Sequence, residues 1–232
     1  MSGEEILKED KNIVVPGEVV ERDPKKAGEN TKVTERGVVS TRLGVIQKVG
    51  RKISIIPYSG PYRPRDGDLV IGVVVGYAPN GWFVDIGAGV KAFLPATERF
   101  KGKFDPRIHD LKEAFKLGDV LAAKILVAER LGAPLLTLRG NKNLGKMSTN
   151  WFIKVPVVKI ARIIGKKGSM LRILEKGTNS RVMVGQNGVL AIEGTYEAYV
   201  KIKKAVNLIS EKTFLKGLTE QVSKLIAGEE NA

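Results

Sequence analysis

The sequence predicts an α+β, multidomain protein: an N-terminal antiparallel β domain over residues 1–65, a five-stranded barrel over 66–140 and a mixed helix–strand domain over 150–232. Two observations predict this organisation. Short runs of valine and isoleucine separated by glycine fill the first 140 residues, and amphipathic helical spacing becomes prominent only after them. The chain has 232 residues, enough for two or three domains that each bury a core.

Composition indicates a polyanionic partner. The chain has 39 Lys and Arg against 25 Asp and Glu, a formal net charge of +14. Such an excess is typical of proteins that bind nucleic acid or an anionic membrane surface, with a soluble basic protein as the alternative. There is no cysteine and a single histidine, His109. Disulfide frameworks, zinc ribbons and thiol catalysis are therefore excluded, and we expect neither a metal nor a cofactor.

The sequence also predicts a soluble, cytoplasmic protein that does not enter the membrane. Its longest uncharged run, Leu69–Val84, has 16 residues and is interrupted by Gly72, Gly76 and Pro79. That length is too short to cross a bilayer. The first ten residues, MSGEEILKED, are acidic and lack an apolar signal segment.

Residues 1–65 contain short β-favouring runs, among them NIVVPGEVV and KISIIPYSGPY, with a turn glycine every few residues. This pattern predicts a small antiparallel sheet, and it contains no catalytic grouping. Because a sheet of this size exposes edges that need a partner, we predict a docking or scaffolding role.

Residues 66–140 contain five predicted strands, and a long basic loop at 97–118 separates the third from the fourth. This arrangement is typical of a Greek-key barrel of the OB type. The stretches DGDLVIGVV, NGWFVDIGAGVKAFLPATE and KLGDVLAAKILVAE resemble the ribosomal-protein S1 motif, which is one version of that barrel. The resemblance implies an S1-type OB barrel that binds RNA.

Strand alternation predicts which aromatic residue of the second strand faces outward. Trp82, Val84 and Ile86 share one face, and Phe83 lies on the other. Since the aliphatic pair favours the core, we predict that Phe83 is an exposed platform on which bases stack. The opposite register, with Phe83 in the core, is the alternative.

Two positions depart from the S1 pattern, because Asn80 and Pro95 stand where many members carry an aromatic residue and a histidine. Stacking should then be weaker and backbone electrostatics more important. The cations predicted to supply that contact are Arg99, Lys101, Lys103, Arg107 and Arg130. A solvated charged loop is the alternative.

The stretch GAGVKA, residues 87–92, matches the G-x-G-x-x-A pattern of dinucleotide-binding proteins. That motif requires a helix to begin within it, and here the chain continues as FLPATE. We therefore predict no nucleotide site at this position.

Residues 151–212 concentrate the charge, with 12 basic and 4 acidic side chains and a net charge of +8. Their pattern predicts the order strand, helix, GKKG turn, helix, strand, strand and helix, with Thr195 as the N-cap of the last helix. The buried stripe predicted for that helix consists of Tyr199, Ile202, Val206 and Ile209. The order β-α-α-β-β-α, with G-x-x-G between the first two helices, resembles a type I KH domain.

The GKKG turn has the properties that a phosphate chain requires. Gly165 and Gly168 lack side chains and permit positive φ, so a sugar-phosphate backbone can approach the peptide closely. Lys166 and Lys167 add charge where the next helix presents free N–H groups, and Arg172 on that helix completes the predicted site. An ordinary helix hairpin turn is the alternative. A Walker phosphate loop is excluded because it needs four residues between its glycines.

Two further predictions concern apolar residues of this domain. Five apolar residues are predicted to hold the helices and to form one wall of a groove for about four unpaired nucleotides: Ile160, Ile163, Ile164, Leu171 and Leu174. A final amphipathic helix that ends at Gly228 and packs on this domain or on a partner subunit is predicted from Phe214, Leu218, Val222 and Leu225.

A small β domain, an S1 barrel and a KH domain, in that order, resemble the S1–KH cap subunit of the archaeal exosome. The bridge YSGPYRPRDGD at residues 58–68 is similar as well. The resemblance implies a non-catalytic subunit that binds single-stranded RNA. It also implies three copies on a hexameric ring of phosphorolytic ribonuclease subunits, forming a pore that passes the RNA 3′ end inward. The other archaeal cap type carries a zinc ribbon, which a chain without cysteine cannot form.

Two alternatives remain at this point. A free-standing RNA-binding regulatory or translation protein would use the same S1 and KH domains but would migrate alone. A nuclease would need carboxylates that bind metal ions, and the nearest acidic grouping is Asp105, Asp110 and Glu113 in the basic loop.

Overall fold

The computed structural model describes residues 13–58, 60–100, 104–128, 132–140, 143–149, 151–211 and 218–227. The chain divides into two compact units, Met1–Gly60 and Pro61–Ala232. Antiparallel sheets and helices together make an α+β fold, as predicted. No helix in the described ranges is long and apolar enough to cross a membrane.

The first unit contains two three-stranded antiparallel sheets rather than the single small sheet that the sequence predicts. Its strands are β1 Ile13–Val14, β2 Val19–Glu21, β3 Thr31–Thr34, β4 Gly37–Ser40, β5 Gly44–Val49 and β6 Lys52–Pro57. One sheet has the order β1-β5-β6 and the other β2-β4-β3. A bend at residues 41–43 lets the chain leave one sheet and enter the other. The N–H of Ile55 in β6 donates at 2.9 Å to the carbonyl of Glu29, which lies in the turn before β3.

The five strands predicted for the barrel all form. They are β7 Leu69–Ala78, β8 Gly81–Asp85, β9 Lys91–Pro95, β10 Val120–Val127 and β11 Leu135–Thr137. Neighbouring strands follow the order β11-β9-β8-β7-β10, and β10 also pairs with β11, so the sheet closes on itself as in an OB barrel. Trp82, Leu94 and Leu121 are fully buried inside it.

The structure adds two elements to the predicted barrel. A short strand, β12 Gly145–Lys146, pairs with β10 beyond the end of β11. The predicted loop at 97–118 contains a short helix, α1 Leu111–Ala114, whose N-cap Asp110 accepts the N–H of Lys112 at 2.8 Å. The GAGVKA stretch forms bends that lead directly into β9, without the helix that a dinucleotide site requires.

The third domain has the predicted order of elements. They are β13 Trp151–Lys154, α2 Ile160–Ile164, α3 Ser169–Thr178, β14 Arg181–Val184, β15 Val189–Glu193, α4 Tyr196–Glu211 and α5 Leu218–Ala227. The three strands are antiparallel in the order β13-β15-β14. Thr195 caps α4, because its Oγ1 accepts the N–H of Ala198 at 3.2 Å.

The helices of this domain share one apolar core. The predicted α4 stripe is confirmed, since Ile202, Val206 and Ile209 are fully buried and Tyr199 packs against the same cluster. The last helix, α5, packs on that cluster through Val222 and Ile226. Of its two predicted neighbours, α5 therefore contacts the KH domain. Leu218 and Leu225 are only partly buried, and Phe214 and Gly228 lie outside the described residues.

Candidate nucleic-acid interface

The turn between α2 and α3 has the positive φ angles that the sequence predicts. Gly165 has φ 72° and ψ 173°, and Gly168 has φ 76° and ψ 18°. Lys167 between them also has a positive φ of 54°, which is uncommon for a residue with a side chain. The N–H of Gly168 donates to the carbonyl of Gly165 at 3.1 Å and closes the turn.

The two glycines of the turn are required for different reasons. A Cβ at Gly165 would lie 2.8 Å from both the Cβ and the backbone nitrogen of Met170. A Cβ at Gly168 would meet nothing within 4 Å. Gly165 is thus needed for the packing of the turn against α3. Gly168 leaves open space in front of the backbone, where a sugar-phosphate chain can approach.

The charges of the turn are available to an external anion. Lys166 and Lys167 are both exposed. Within the described part of the chain, neither forms an ion pair with an acidic side chain. The N-cap of α3, Gly168, offers no side-chain acceptor to the first N–H groups of that helix. Two ammonium groups and a helix N-terminus therefore act at one exposed point.

Arg172 has a structural role in addition to the one that the sequence predicts. Its Nη2 donates to the carbonyl of Lys167 at 2.5 Å, and its Nε donates to the carbonyl of Gly168 at 3.3 Å. The guanidinium thus holds the turn from the side of α3. Because an arginine carries five N–H donors, the exposed side chain keeps donors for a phosphate as well.

The five apolar residues predicted to hold the helices and line a groove divide between these two roles. Ile160 is 5% exposed, and Ile163 and Leu174 are fully buried, so these three belong to the core. Ile164 and Leu171 are partly exposed and can line a groove. The two roles separate because a helix turns 100° per residue, so that only a part of its apolar side chains reaches any one edge.

On the barrel, the predicted register of β8 is confirmed. Trp82 is fully buried and its Nε1 donates to the carbonyl of Leu111 at 3.2 Å, whereas Phe83 is partly exposed on the outer face. In the OB fold the face of the second and third strands and the adjoining loops bind oligonucleotides. Phe83 therefore lies on the surface where a base could stack.

Sequence analysis missed the second ring of this face, Phe93 on β9. It is the cross-strand neighbour of Phe83, with the ring centroids 6.0 Å apart, and it is partly exposed. Gly81 leaves room for the Phe93 ring, since a Cβ there would lie 2.9 Å from that ring and closer still to the carbonyl oxygen of Leu94. Alternation along KAFLP, with Ala92 and Leu94 buried, is the signal that could have found Phe93.

The predicted barrel cations are described only in part. Arg99 and Arg107 are exposed. Arg99 follows the short 3-10 turn after β9, and the N–H of Arg107 donates to the carboxylate of Asp105 at 2.9 Å. Lys101, Lys103 and Arg130 lie outside the described residues.

Aromatic contacts organise the loop between β9 and β10. His109 lies 4.5 Å from Phe100 between ring centroids, and its Nδ1 accepts the N–H of Asp105 at 3.2 Å. Trp82 in turn packs 5.0 Å from Phe115. Asp105 and Asp110 are used by local backbone N–H groups, and the described residues include no group of three His, Asp or Glu that could hold a metal ion.

Two charge-coupled contacts brace the barrel. Burial, and secondly the carboxylate of Asp68, raises the pKa of Tyr62, whose hydroxyl donates to Asp68 at 2.7 Å. Burial opposes ionisation of Asp119, but the Lys146 ammonium at 2.8 Å and the N–H of Lys116 hold its pKa below the usual value. These contacts fasten the entering bridge and strand β12 to the barrel.

The turn between β14 and β15 joins the KH domain to the barrel. The N–H of Gln186 donates to the carbonyl of Leu69 at 2.7 Å. Asn187, only 5% exposed, accepts the N–H of Ile71 at 3.2 Å and donates to the carbonyls of Ile71 at 2.7 Å and Ile86 at 3.0 Å. A side-chain amide thus pairs with the barrel backbone as a strand would. The barrel and the KH turn are parts of one compact unit.

Comparison with known proteins extends these observations. The KH domain family matches residues 150–211. Exosome complex component Rrp4 of Nitrosopumilus maritimus is 32% identical over 214 residues, which cover 92% of this chain and 94% of the relative. The protein of the same name from Methanothermus fervidus is 34% identical, over 94% of this chain and 96% of its own.

A solved structure gives the same result. It is described as a candidate exosome complex RNA-binding protein, and it aligns with a TM-score of 0.67 and 31% identity over 73% of this chain and 97% of its own. The family predicted from the order of the β domain, S1 barrel and KH domain is thereby confirmed: the chain belongs to the family of Rrp4 exosome complex components.

Proposed function

We propose that the chain is a non-catalytic RNA-binding cap subunit of an archaeal exosome. In this role it captures single-stranded RNA and directs the 3′ end into a phosphorolytic exoribonuclease ring. Three copies sit on a hexameric ring in the cytoplasm, and the domains act over residues 1–65, 66–140 and 150–232. The names of the relatives support the exosome and RNA parts of this proposal.

The observation that carries the proposal is the geometry of the turn at residues 165–168. Positive φ at both glycines, open space at Gly168 and two exposed lysines occur together at the start of a ten-residue helix. Arg172 holds the two carbonyls next to this point. This combination suits phosphate groups of an unpaired strand, which KH domains clamp over about four nucleotides.

The barrel supplies a second contact for the same strand. Phe83 and Phe93 offer two neighbouring rings on the outer face, where bases can stack whatever their identity. Arg99 and Arg107 are exposed in the adjoining loop and can neutralise phosphates. A contact of this kind suits a subunit that must accept RNA of any sequence.

The first unit has the surface expected of a docking domain. Seven of its described large apolar side chains are exposed: Ile13, Val15, Val19, Val33, Leu43, Val49 and Ile56. Exposed apolar surface of this extent suits contact with another protein more than contact with RNA. We assign this unit to docking on the ring.

The RNA role is tested by charge reversal in the turn. The double variant Lys166→Asp, Lys167→Asp should bind a labelled single-stranded RNA at least about tenfold more weakly in fluorescence anisotropy, because two cations become two anions beside phosphate. Its thermal unfolding should stay close to that of the wild type, since both side chains are exposed. The matched control is Lys48→Asp, Lys52→Asp, an equal charge change at exposed positions of the first unit. Equal affinity of the two double variants would assign RNA binding to the barrel.

The exosome role is tested by isolation of the chain from native cells. Co-purification with ring ribonucleases, at a mass that fits three copies on six subunits, is the expected result. A chain that migrates alone would indicate a free-standing RNA-binding protein. Incubation of the purified chain with labelled RNA, first with magnesium and then with phosphate, should produce no shortened products, and shortening would contradict the non-catalytic assignment.

A further inference from the structure

A second aromatic cluster lies on the KH domain, on residues that the proposed function does not use. Trp151 at the start of β13 packs 5.1 Å from Tyr199 and 5.4 Å from Tyr196, both on α4. The two tyrosine rings are 6.2 Å apart. The Nζ of Lys203, one helical turn after Tyr199, lies 5.7 Å from the centre of the Tyr199 ring. Three rings and one cation therefore form one cluster, in which Trp151 and Tyr199 are stacked and the Tyr196 ring is tilted against both.

The three rings of this cluster differ in what holds them. Trp151 and Tyr199 pack against the core of the domain. Tyr196 is 62% exposed, and among the described residues 151–211 and 218–227 it is the one large hydrophobic side chain that is exposed. A single exposed tyrosine would be ordinary. Here the exposed ring contacts two rings that pack on the core, so a planar ligand can stack on it without first ordering a mobile side chain.

The cluster is separate from the GKKG turn. Strands β13 and β14 form the two opposite edges of the three-stranded sheet. Trp151 pairs with Ile192 near the C-terminal end of β15, and the chain continues from that end into α4. The C-terminal end of α3, Thr178, is followed closely by Arg181, the first residue of β14. Because Arg181 pairs with Glu193, the last residue of β15, α3 ends beside the same end of the sheet. The GKKG turn lies at the other end of α3, a helix of ten residues that is about 15 Å long. One nucleotide cannot contact both sites.

Charge around the cluster favours a base on the ring and phosphate on the side of Lys203. Lys203 is exposed and forms no ion pair within the described ranges. Glu193, at the end of β15, and Glu197, in the first turn of α4, flank Tyr196 in the chain, and their negative charge disfavours a phosphate beside that ring. An aromatic platform with a flanking cation is the combination that binds unpaired nucleotides regardless of sequence.

We infer that Trp151, Tyr196, Tyr199 and Lys203 form a second RNA contact, in which an unpaired base stacks on Tyr196 and its phosphate faces Lys203. This inference rests on the proposed RNA-binding function. It adds a contact on the far edge of the KH sheet, so that a strand longer than the four nucleotides of the KH groove is held at two points of one domain.

The test uses the full chain and a labelled single-stranded RNA about twice as long as the KH site. Tyr196→Ala should weaken binding at least about fivefold, with unchanged thermal unfolding because the side chain is exposed. Tyr196→Phe, which keeps the ring, should stay within about twofold of the wild type. RNA should also quench the emission of Trp151, and Tyr196→Ala should reduce that quenching. The other tryptophan, Trp82, is fully buried in the barrel.

The outcomes separate this inference from the proposed function. Loss of binding in the Lys166→Asp, Lys167→Asp variant with normal binding by Tyr196→Ala would overturn the second contact and leave the proposed function standing. Absence of RNA binding by the wild type would overturn both. Crosslinking in the assembled complex is a further test of the second RNA contact. A photoreactive residue at 196 should crosslink to RNA, and a crosslink to another polypeptide instead would identify the cluster as a protein contact and contradict the inference.

Discussion

The KH turn at residues 165–168 and the outer face of the barrel offer a nucleic acid different kinds of contact. The turn presents backbone without side chains, a helix N-terminus and two exposed lysines. The barrel face presents the rings of Phe83 and Phe93. The outward charges beside these rings, Asp85 and Lys91, are cross-strand neighbours of opposite sign.

This difference has a measurable consequence. Contacts with phosphate displace counterions, so their contribution to affinity falls as salt rises. Stacking on an aromatic ring involves no such displacement. Two surfaces within one chain should therefore be distinguishable by salt alone, and each prediction below changes one of them or the connection between them.

The largest expected effect on stability comes from Asn187, which connects the KH domain to the barrel. Asn187→Ala should lower the free energy of unfolding by about 3 kcal/mol, because the buried N–H of Ile71 loses its acceptor and two carbonyls lose a donor. Urea unfolding measures the loss. Asn80→Ala, at an exposed turn position, is the control and should stay within about 0.5 kcal/mol of the wild type. Equal losses in the two variants would show that Asn187 does not hold the surfaces together.

The next effect separates the two glycines of the turn. Gly165 has φ and ψ angles that are essentially restricted to glycine, and it packs against Met170. Gly165→Ala should therefore lower the free energy of unfolding by about 2 kcal/mol. Gly168→Asn should cost less than about 1 kcal/mol, since asparagine tolerates the left-handed region and the space is open. A larger loss at Gly168 than at Gly165 would contradict the packing described for the turn.

The barrel rings should affect affinity without affecting salt dependence. Phe83→Ala or Phe93→Ala should weaken binding of single-stranded RNA by about 1.5 kcal/mol through lost stacking. The slope of log affinity against log salt should equal that of the wild type in a series of anisotropy titrations. A shallower slope would mean that loss of a ring also weakens the phosphate contacts proposed for Arg99 and Arg107 in the adjoining loop, and it would remove the contrast with the turn.

The smallest effect concerns Arg172. Arg172→Met keeps the aliphatic stem and removes two exposed hydrogen bonds to the carbonyls of Lys167 and Gly168. We expect a loss of about 0.5 kcal/mol in the free energy of unfolding, near the lower limit for hydrogen bonds. If the guanidinium also contacts phosphate, the free energy of RNA binding should weaken by more than the free energy of unfolding falls. Equal changes in the two free energies would restrict the role of Arg172 to holding the turn.

The sequence was sufficient to predict those structural features that depend on a local pattern of residues. Alternation placed Trp82 inside the barrel and Phe83 outside, and G-x-x-G predicted positive φ at Gly165 and Gly168. The same alternation applied to β9 would have identified Phe93. Strand runs and helical spacing also predicted the element order of the barrel and the KH domain.

Other features depend on contacts between distant residues, which no local pattern encodes. In the sequence, Asn187 looks like an ordinary turn residue. Its hydrogen-bond partners, Ile71 and Ile86, lie about 100 residues earlier in the chain. The packing of His109 against Phe100 gives the basic loop an order that its charges do not predict. The division of the first unit into two sheets depends likewise on where the chain bends at residues 41–43.

The central claim is that the lysines of the KH turn neutralise RNA phosphates, and the salt dependence of RNA binding tests it most directly. For single strands the slope of log affinity against log salt is about −0.7 for each phosphate neutralised. The variant Lys166→Ala, Lys167→Ala should therefore bind more weakly than the wild type, with a slope shallower by about 1.4. An unchanged slope together with unchanged affinity would contradict the claim.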